Sequence, residues 1–253
     1  MKIFDAHTHI GNISDTEIVS PEEVKTFLAT LGVSPGMAMP VALRGGGDNM
    51  ELHQKLYQEA IAQGFDVALY VNAEMIDNYP DLSSYLNYPF KALKIHPDAV
   101  RFSAKQLHTI CGTAEKLHLP LMIHTGGNEW SRAGIYETFV RQYPLVTFVL
   151  CHARPAEEAF PLLNAYSNVW IDTAFLPFED LKKRITADNE NRILFGTDYP
   201  VNRWHPQLGD ETNWYAQQIV NIENCFSERI AQKILCDNYL SLFKKNSTPI
   251  FNP

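Results

Sequence analysis

The 253-residue sequence predicts a single (β/α)8 (TIM) barrel of parallel strands. Three observations lead there. Eight short runs rich in Val, Ile, Leu and Phe recur, each followed by a helix-like stretch, and their starts lie about 27 residues apart, the size of one β-plus-α unit. The runs are almost continuously apolar rather than alternating, as strands covered on both faces are. A barrel of this kind needs about 250 residues, nearly the whole chain. A doubly wound open sheet is the competing architecture, and the absence of a Gly-x-Gly-x-x-Gly after the first strand counts against it.

In order, the predicted strands are Ile3–His9, Gly36–Val41, Asp66–Ala73, Ala92–His96, Pro120–His124, Val146–His152, Val169–Thr173 and Ile193–Asp198. Helix starts are marked between them. Ser20-Pro21-Glu22-Glu23 supplies a cap, a proline at the first helical position and a capping-box glutamate. Ser103 precedes Ala104–His118, where Leu107, Ile110, Cys111, Ala114 and Leu117 recur at helical spacing. Ser227 caps a predicted Glu228–Leu235 helix. The patches Leu43–Asp48 and Gly126–Asn128 fall directly after strands and read as βα loops. No segment reads as an interdomain linker, so one domain is predicted over residues 1–246, with a short tail over 247–253.

Composition narrows the function classes. The chain is 45% hydrophobic, 20% charged and 11% aromatic, ordinary for a globular protein. Its formal net charge of -8 argues against a nucleic-acid binder or docking on an anionic membrane. A small-molecule substrate stays open, because a pocket can be locally positive. Cys111, Cys151, Cys225 and Cys236 are scattered, with no Cys-x-x-Cys, and read as free thiols in a reducing compartment. Asp5 and His7 interrupt the first apolar run too early for a signal peptide, and no run of eighteen apolar residues exists, so the expected location is the cytoplasm.

The chemistry is concentrated where polar residues end apolar strands: His7 and His9, Lys94 and His96, His124, His152, and Asp198. All fall at C-terminal strand ends, the face on which barrel enzymes build their sites. On a strand, residues i and i+2 share a face, so His7 and His9 can reach one ion. Asp5 shares their parity and is expected to orient a histidine from a layer below. An imidazole or carboxylate ending a buried strand without a partner is costly, and a shared metal would satisfy several at once. His53, His108 and His118 fall on predicted helices and read as packing or surface residues. Arg44, Arg154, Arg203 and His205 follow strands, where a substrate carboxylate or an ordinary loop salt bridge would engage them. Trp130 and Trp204 sit on loops and can wall a pocket. Glu74 and Asp172 are candidates for supporting the ligands from behind.

The order His-x-His, then Lys94, His124, His152 and Asp198 on strands one, four, five, six and eight resembles the amidohydrolase superfamily. Phe4-Asp5-Ala6-His7-Thr8-His9, Leu93-Lys94-Ile95-His96-Pro97, Leu194-Phe195-Gly196-Thr197-Asp198-Tyr199-Pro200 and Asp237-Asn238-Tyr239-Leu240-Ser241-Leu242-Phe243 are similar to its amidohydrolase-related branch, which includes decarboxylases of the aminocarboxymuconate semialdehyde type. The resemblance implies that His7, His9, His124 and Asp198 bind one divalent metal, most often zinc. It implies that His152 positions the attacking water or binds a second metal, and that Asp198 takes a proton from the water. Lys94 would be unmodified and bind a substrate anion; in binuclear relatives the equivalent lysine is carbamylated and bridges two metals. Apart from the resemblance, His96 shares the parity of Lys94 and either joins it on the substrate or ends the strand before Pro97, and Arg44 and Arg154 are the loop cations that a substrate carboxylate or a salt bridge would engage. A homodimer is implied only by the habits of relatives. The expected reaction is hydrolysis of a small amide, ester or lactone by a metal-activated water. Nonoxidative decarboxylation of a small carboxylic acid on the same site is the alternative, and a noncatalytic ligand-binding barrel is a third reading.

Overall fold

A computed structural model describes residues 1–12, 17–40, 50–82, 88–126, 128–205 and 211–244. Its strands are β1 (Ile3–Phe4), β2 (Thr8–Asn12), β3 (Ile18–Val19), β4 (Val33–Ser34), β5 (Met37–Pro40), β6 (Asp66–Tyr70), β7 (Ala92–Ile95), β8 (Leu121–His124), β9 (Phe148–Cys151), β10 (Val169–Asp172) and β11 (Ile193–Leu194). β1 pairs with β4 in a small two-stranded sheet. The others form one nine-stranded sheet in the order β11-β10-β9-β8-β7-β6-β5-β2-β3. Consecutive neighbours from β2 to β11 run parallel, joined by helical crossovers.

Two features depart from the expected all-parallel barrel. β3 pairs antiparallel with β2, at Gly11↔Val19 and Asn12↔Ile18. The ends of the curled sheet meet through a short seam: Ala6 N donates to Phe195 O at 2.8 Å, Asp198 N to His7 O at 2.7 Å, and His9 N to Tyr199 O at 2.7 Å. A lone parallel bridge, Thr8↔Tyr199, lies in the same seam.

Strand alternation builds two apolar layers. Outward-facing Val67, Leu69, Leu93, Ile95, Leu121 and Ile123 pack under helices. Among those helices are α1 (Pro21–Thr30), α2 (Met50–Ala62), α3 (Ala73–Asn78) and α4 (Ala104–Leu117), followed by α5 (Glu137–Gln142), α6 (Ala156–Ala165), α7 (Phe178–Arg184), α8 (Glu211–Cys225) and α9 (Glu228–Gln232). Inward-facing Met37, Met39, Ala68, Ala92, Met122 and Val149 form a second cluster inside the curl. Tyr239, Leu242 and Phe243 join that cluster, with Tyr239 stacked on Phe4 at a 5.0 Å centroid distance. Burial of each such large side chain contributes about 1.5–3 kcal/mol. The polar residues of the strands therefore have one place to gather, the opposite end of the same interior.

The predicted caps are present. Ser20 Oγ accepts from Glu23 N at 3.1 Å, and Ser103 with Gln106 forms a capping box at the start of α4. His118, the expected last residue of α4, is instead its left-handed C-cap. Ser227 caps α9, but the helix gives way after Gln232 to the wider turn Lys233–Asp237. There Ile234 O accepts from Phe195 N at 3.0 Å, which draws that carbonyl towards the sheet.

Gly36 is required by a close approach between strands. A Cβ there would lie 1.9 Å from Asp5 O. That same carbonyl accepts Met37 N at 2.7 Å and cannot withdraw without breaking the pairing. Gly36→Ala is expected to destabilise the fold by about 3 kcal/mol or more, read as a lower urea midpoint; an unchanged midpoint would show that the first strand can shift freely.

Candidate metal centre

The side chains that end the parallel strands converge at one end of the sheet interior. His7 immediately precedes β2, His9 lies within it, Lys94 is in β7 and His124 ends β8. His152 and Asp198 lie just beyond β9 and β11 rather than in them, with left-handed φ values of 67° and 62°. Such values are costly for non-glycine residues and persist where surrounding contacts enforce them. His152 N and Ala174 N both donate to Asp172 Oδ1, at 2.9 and 3.1 Å, and Asp198 N donates to His7 O.

Within this cluster His7 Nε2 is 3.1 Å from Asp198 Oδ1, and His9 Nε2 is 2.8 Å from the same oxygen. His152 Nε2 is 3.0 Å from His124 Nδ1. His7, His152 and Asp198 each offer a donor atom within 4.8 Å of the others. All but His124 are buried, and His124 is largely so.

The outer nitrogens of three rings are engaged. His7 Nδ1 meets Asp172 Oδ2 at 2.9 Å, His152 Nδ1 meets Ala174 O at 3.0 Å, and His124 Nε2 meets Asp98 Oδ2 at 3.2 Å. An acceptor at each position places the ring proton there. The inner nitrogens then carry lone pairs, and those of His152 and His124 face each other. His9 Nδ1 is a buried polar atom with no hydrogen-bond partner among the described residues. Facing lone pairs are repulsive in the bare protein and favourable around a cation, so the donor set fits a divalent metal.

Electrostatics agree with neutral imidazoles. Burial pushes the pKa of His7 and His152 well below the ordinary value, aided by Lys94 and Arg154 respectively, and also lowers that of His124. Burial opposes the charged form of Asp198, but His7, His9 and Lys94 outweigh it and hold its pKa below the usual carboxylate value. Burial raises the pKa of Asp172. For Asp98, burial is outweighed by hydrogen bonds from His124, Ser131 and Asn128, and its pKa falls.

Lys94 is 1% exposed and lies against the cluster's floor, with Nζ 3.2 Å from His7 Nε2 and 3.3 Å from Cys151 Sγ. His96 stacks on His124 at a 3.8 Å centroid distance, and its Nδ1 accepts from Ala99 N. Its proton is therefore on Nε2, which makes His96 a donor rather than a ligand. Arg154, two residues after His152, borders a cavity of about 440 Å³. Arg44 and the surrounding Leu43–Asp48 patch lie outside the described residues, as do the tail over 247–253 and the side chains of His53 and Trp204.

Other expectations change. Asp5 does not touch an imidazole: it accepts from His7 N, Thr197 N and Thr197 Oγ1, tying the first strand to the last loop. Asp172 takes the imidazole instead. Burial raises the Asp5 pKa to about 7. Glu74 lies exposed in the first turn of α3. Arg203 pairs with Glu17 and with Glu23, as a loop salt-bridge residue does. Trp130 is 41% exposed and donates to Pro97 O, while His205 packs on Phe175. The four cysteines are free. Among the described residues no helix is long and apolar enough to cross a membrane.

A family model described as amidohydrolase matches residues 85–244. No curated protein matches the sequence. Solved structures resemble the chain over most of its length. An amidohydrolase from Burkholderia multivorans with bound zinc is 11% identical, with a TM-score of 0.71, covering 96% of this chain and 99% of that one. A probable 2-pyrone-4,6-dicarboxylic acid hydrolase from Acinetobacter baumannii with citric acid bound is 14% identical, with a TM-score of 0.70, covering 96% and 100%. A 5-carboxyvanillate decarboxylase from Novosphingobium aromaticivorans, complexed with manganese and a nitrobenzoic acid, is 10% identical, with a TM-score of 0.71, covering 96% of each chain.

Proposed function

Because the chain belongs to the amidohydrolase family of enzymes, we propose that it is a metal-dependent hydrolase of a small amide, ester or lactone, built on a closed (β/α)8 barrel. The observation that carries this reading is the set of inward lone pairs: three imidazoles held from behind by Asp172, Ala174 O and Asp98 face Asp198 and one another. The seam between residues 6–9 and 195–199 supports the closed barrel.

His7, His9, His124 and Asp198 would hold one divalent ion, with His152 left to face the substrate side of the cluster. An imidazole-rich set with one carboxylate favours zinc. Such a cation polarises a substrate carbonyl and makes water acidic enough to attack near neutral pH. The protein's own work is positional. Asp172 and Ala174 O keep His7 and His152 in the ligating tautomer. The Asp198 carboxylate accepts the proton of the attacking water, His152 orients that water, and His96 offers Nε2–H to an oxygen of the substrate. Lys94 stays unmodified, its Nζ against His7 and Cys151, so no carbamate bridge to a second ion is invoked.

The reading is tested by metal analysis of the purified protein, chelation and restoration, with ester, lactone and amide panels assayed before and after. One ion per chain and activity that follows metal content are expected. Carbon dioxide released from an acid without water consumption would turn the assignment to nonoxidative decarboxylation, the chemistry named for one structural neighbour. Metal-free protein with undiminished activity would refute both.

A further inference from the structure

Arg154 is a basic group at the candidate site that the metal chemistry does not use. It follows His152, within the turn between β9 and α6, and lies partly buried. Its Nε is buried with no hydrogen-bond partner, and no acceptor is seen for its guanidinium among the described residues. A guanidinium that gives up water without an acceptor is expensive, and a bidentate oxyanion is the group its fork fits.

The cavity beside it indicates the rest of the ligand. It measures about 440 Å³ and lies between the turns that follow β8, β9 and β10, with Ala153 and Arg154, the two residues directly after His152, on its wall. Ala153, Phe175, Leu176 and Pro177 give it apolar walls. The start of α6 also lines it, and no side chain caps that helix, so its positive end adds to Arg154. Arg132, the other cation on the wall, is already engaged by Glu158. Glu129 and Glu157 stand on the remaining wall, together with Asp180, which Arg184 already pairs. Among the described residues the cavity therefore has one available positive locus, Arg154 with the start of α6 beside it, and an acidic side that disfavours a second anion.

We infer that the substrate is a monocarboxylate with an apolar body, its carboxylate seated on Arg154 and its apolar part against Phe175. The inference rests on the active-site reading above and adds the substrate class to it. A dicarboxylate, like the acid named for one structural neighbour, is disfavoured here because its second charge would meet the acidic wall. A phosphate dianion is disfavoured because no second free cation lines the cavity among the described residues. Gly126 belongs to the same device: a Cβ there would come within 2.9 Å of the Arg154 side chain, and its φ of 115° suits only glycine.

The test is calorimetric titration of the purified protein, metal content measured in each sample, with benzoate, benzamide, isophthalate and inorganic phosphate as probes. Benzoate is expected to bind at least tenfold more tightly than each of the others. Arg154→Gln should abolish the preference over benzamide at unchanged metal content, and Arg154→Lys should retain part of it. Equal binding of benzoate and benzamide by the native protein, or a preference that survives Arg154→Gln, would overturn the inference. So would tighter binding of isophthalate or phosphate. If Arg154→Gln fails to fold, the Arg154→Lys variant and the four-probe ranking on native protein decide the matter. A preference that vanishes with the metal and ignores Arg154 assigns the carboxylate to the ion, which refutes this inference and leaves the hydrolase reading intact. Absence of metal together with an Arg154-dependent preference does the reverse.

Discussion

Exchanging His7 for alanine is expected to lower divalent-metal affinity by about a hundredfold or more and to remove metal-dependent turnover, because loss of an outer partner alone costs about 10–100-fold. His7 holds the centre of the cluster. Its Nε2 faces Asp198 at 3.1 Å and Lys94 at 3.2 Å, and its Nδ1 engages Asp172 at 2.9 Å. Alanine removes a ligand and strands a buried carboxylate, which costs about 1–3 kcal/mol of stability. Lys94 lies close enough to take up part of the freed charge, so the chain is expected to fold with a lowered urea midpoint and little metal. His7→Gln fills more of the volume and separates the two losses: it should recover stability more than metal content. Metal stoichiometry by elemental analysis beside a urea melt reads both. Full metal content in His7→Ala would remove His7 from the ligand set.

How much of this was legible in the sequence depends on the range of the interaction. The parallel strands were readable because burial on both faces leaves nearly continuous apolar runs, and their sequential neighbours pair in chain order. The gathering of His7, His9, Lys94 and His124 was readable because strand parity and strand ends are local facts. The antiparallel β3 edge was not, since two residues carry too little pattern. Nor was the widened turn at Lys233–Asp237, where Ile234 O accepts from the N–H of Phe195, almost forty residues earlier in the chain.

The partners behind the histidines divide the same way. Asp5 has the parity to reach an imidazole, yet Thr197 captures both its oxygens through the seam between first and last strands. Asp172 could be seen as a polar residue inside an apolar strand, but its choice of His7 depends on the curl of the whole sheet. Asp98, two residues beyond His96, carried no sequence signal beyond its place after Pro97. Its hold on His124 comes from a loop fixed by Asn128. The left-handed turns at His152 and Asp198 were also hidden, because neither residue is a glycine.

Asp172→Asn is the sharper experiment, since it exchanges one oxygen for an amide nitrogen and leaves the shape of the site. Asp172 Oδ1 accepts from His152 N and Ala174 N, and asparagine's carbonyl oxygen can do the same. Its amide nitrogen must then take the place of Oδ2, 2.9 Å from His7 Nδ1. Two donors cannot share that distance, so the His7 proton moves to Nε2 and points into the cluster. The inner lone pair disappears without loss of the side chain. A metal affinity lower by about 10–100-fold is expected, with turnover falling to match at limiting metal. The fold should change little, because the buried carboxylate is replaced by a neutral group that keeps both backbone bonds. Metal-competition titration against a chromogenic chelator gives the affinity, and nitrogen-15 spectra of the metal-free histidines report the tautomer directly. Unaltered affinity, or an His7 ring still protonated at Nδ1, would show that Asp172 does not set the ligating state of His7.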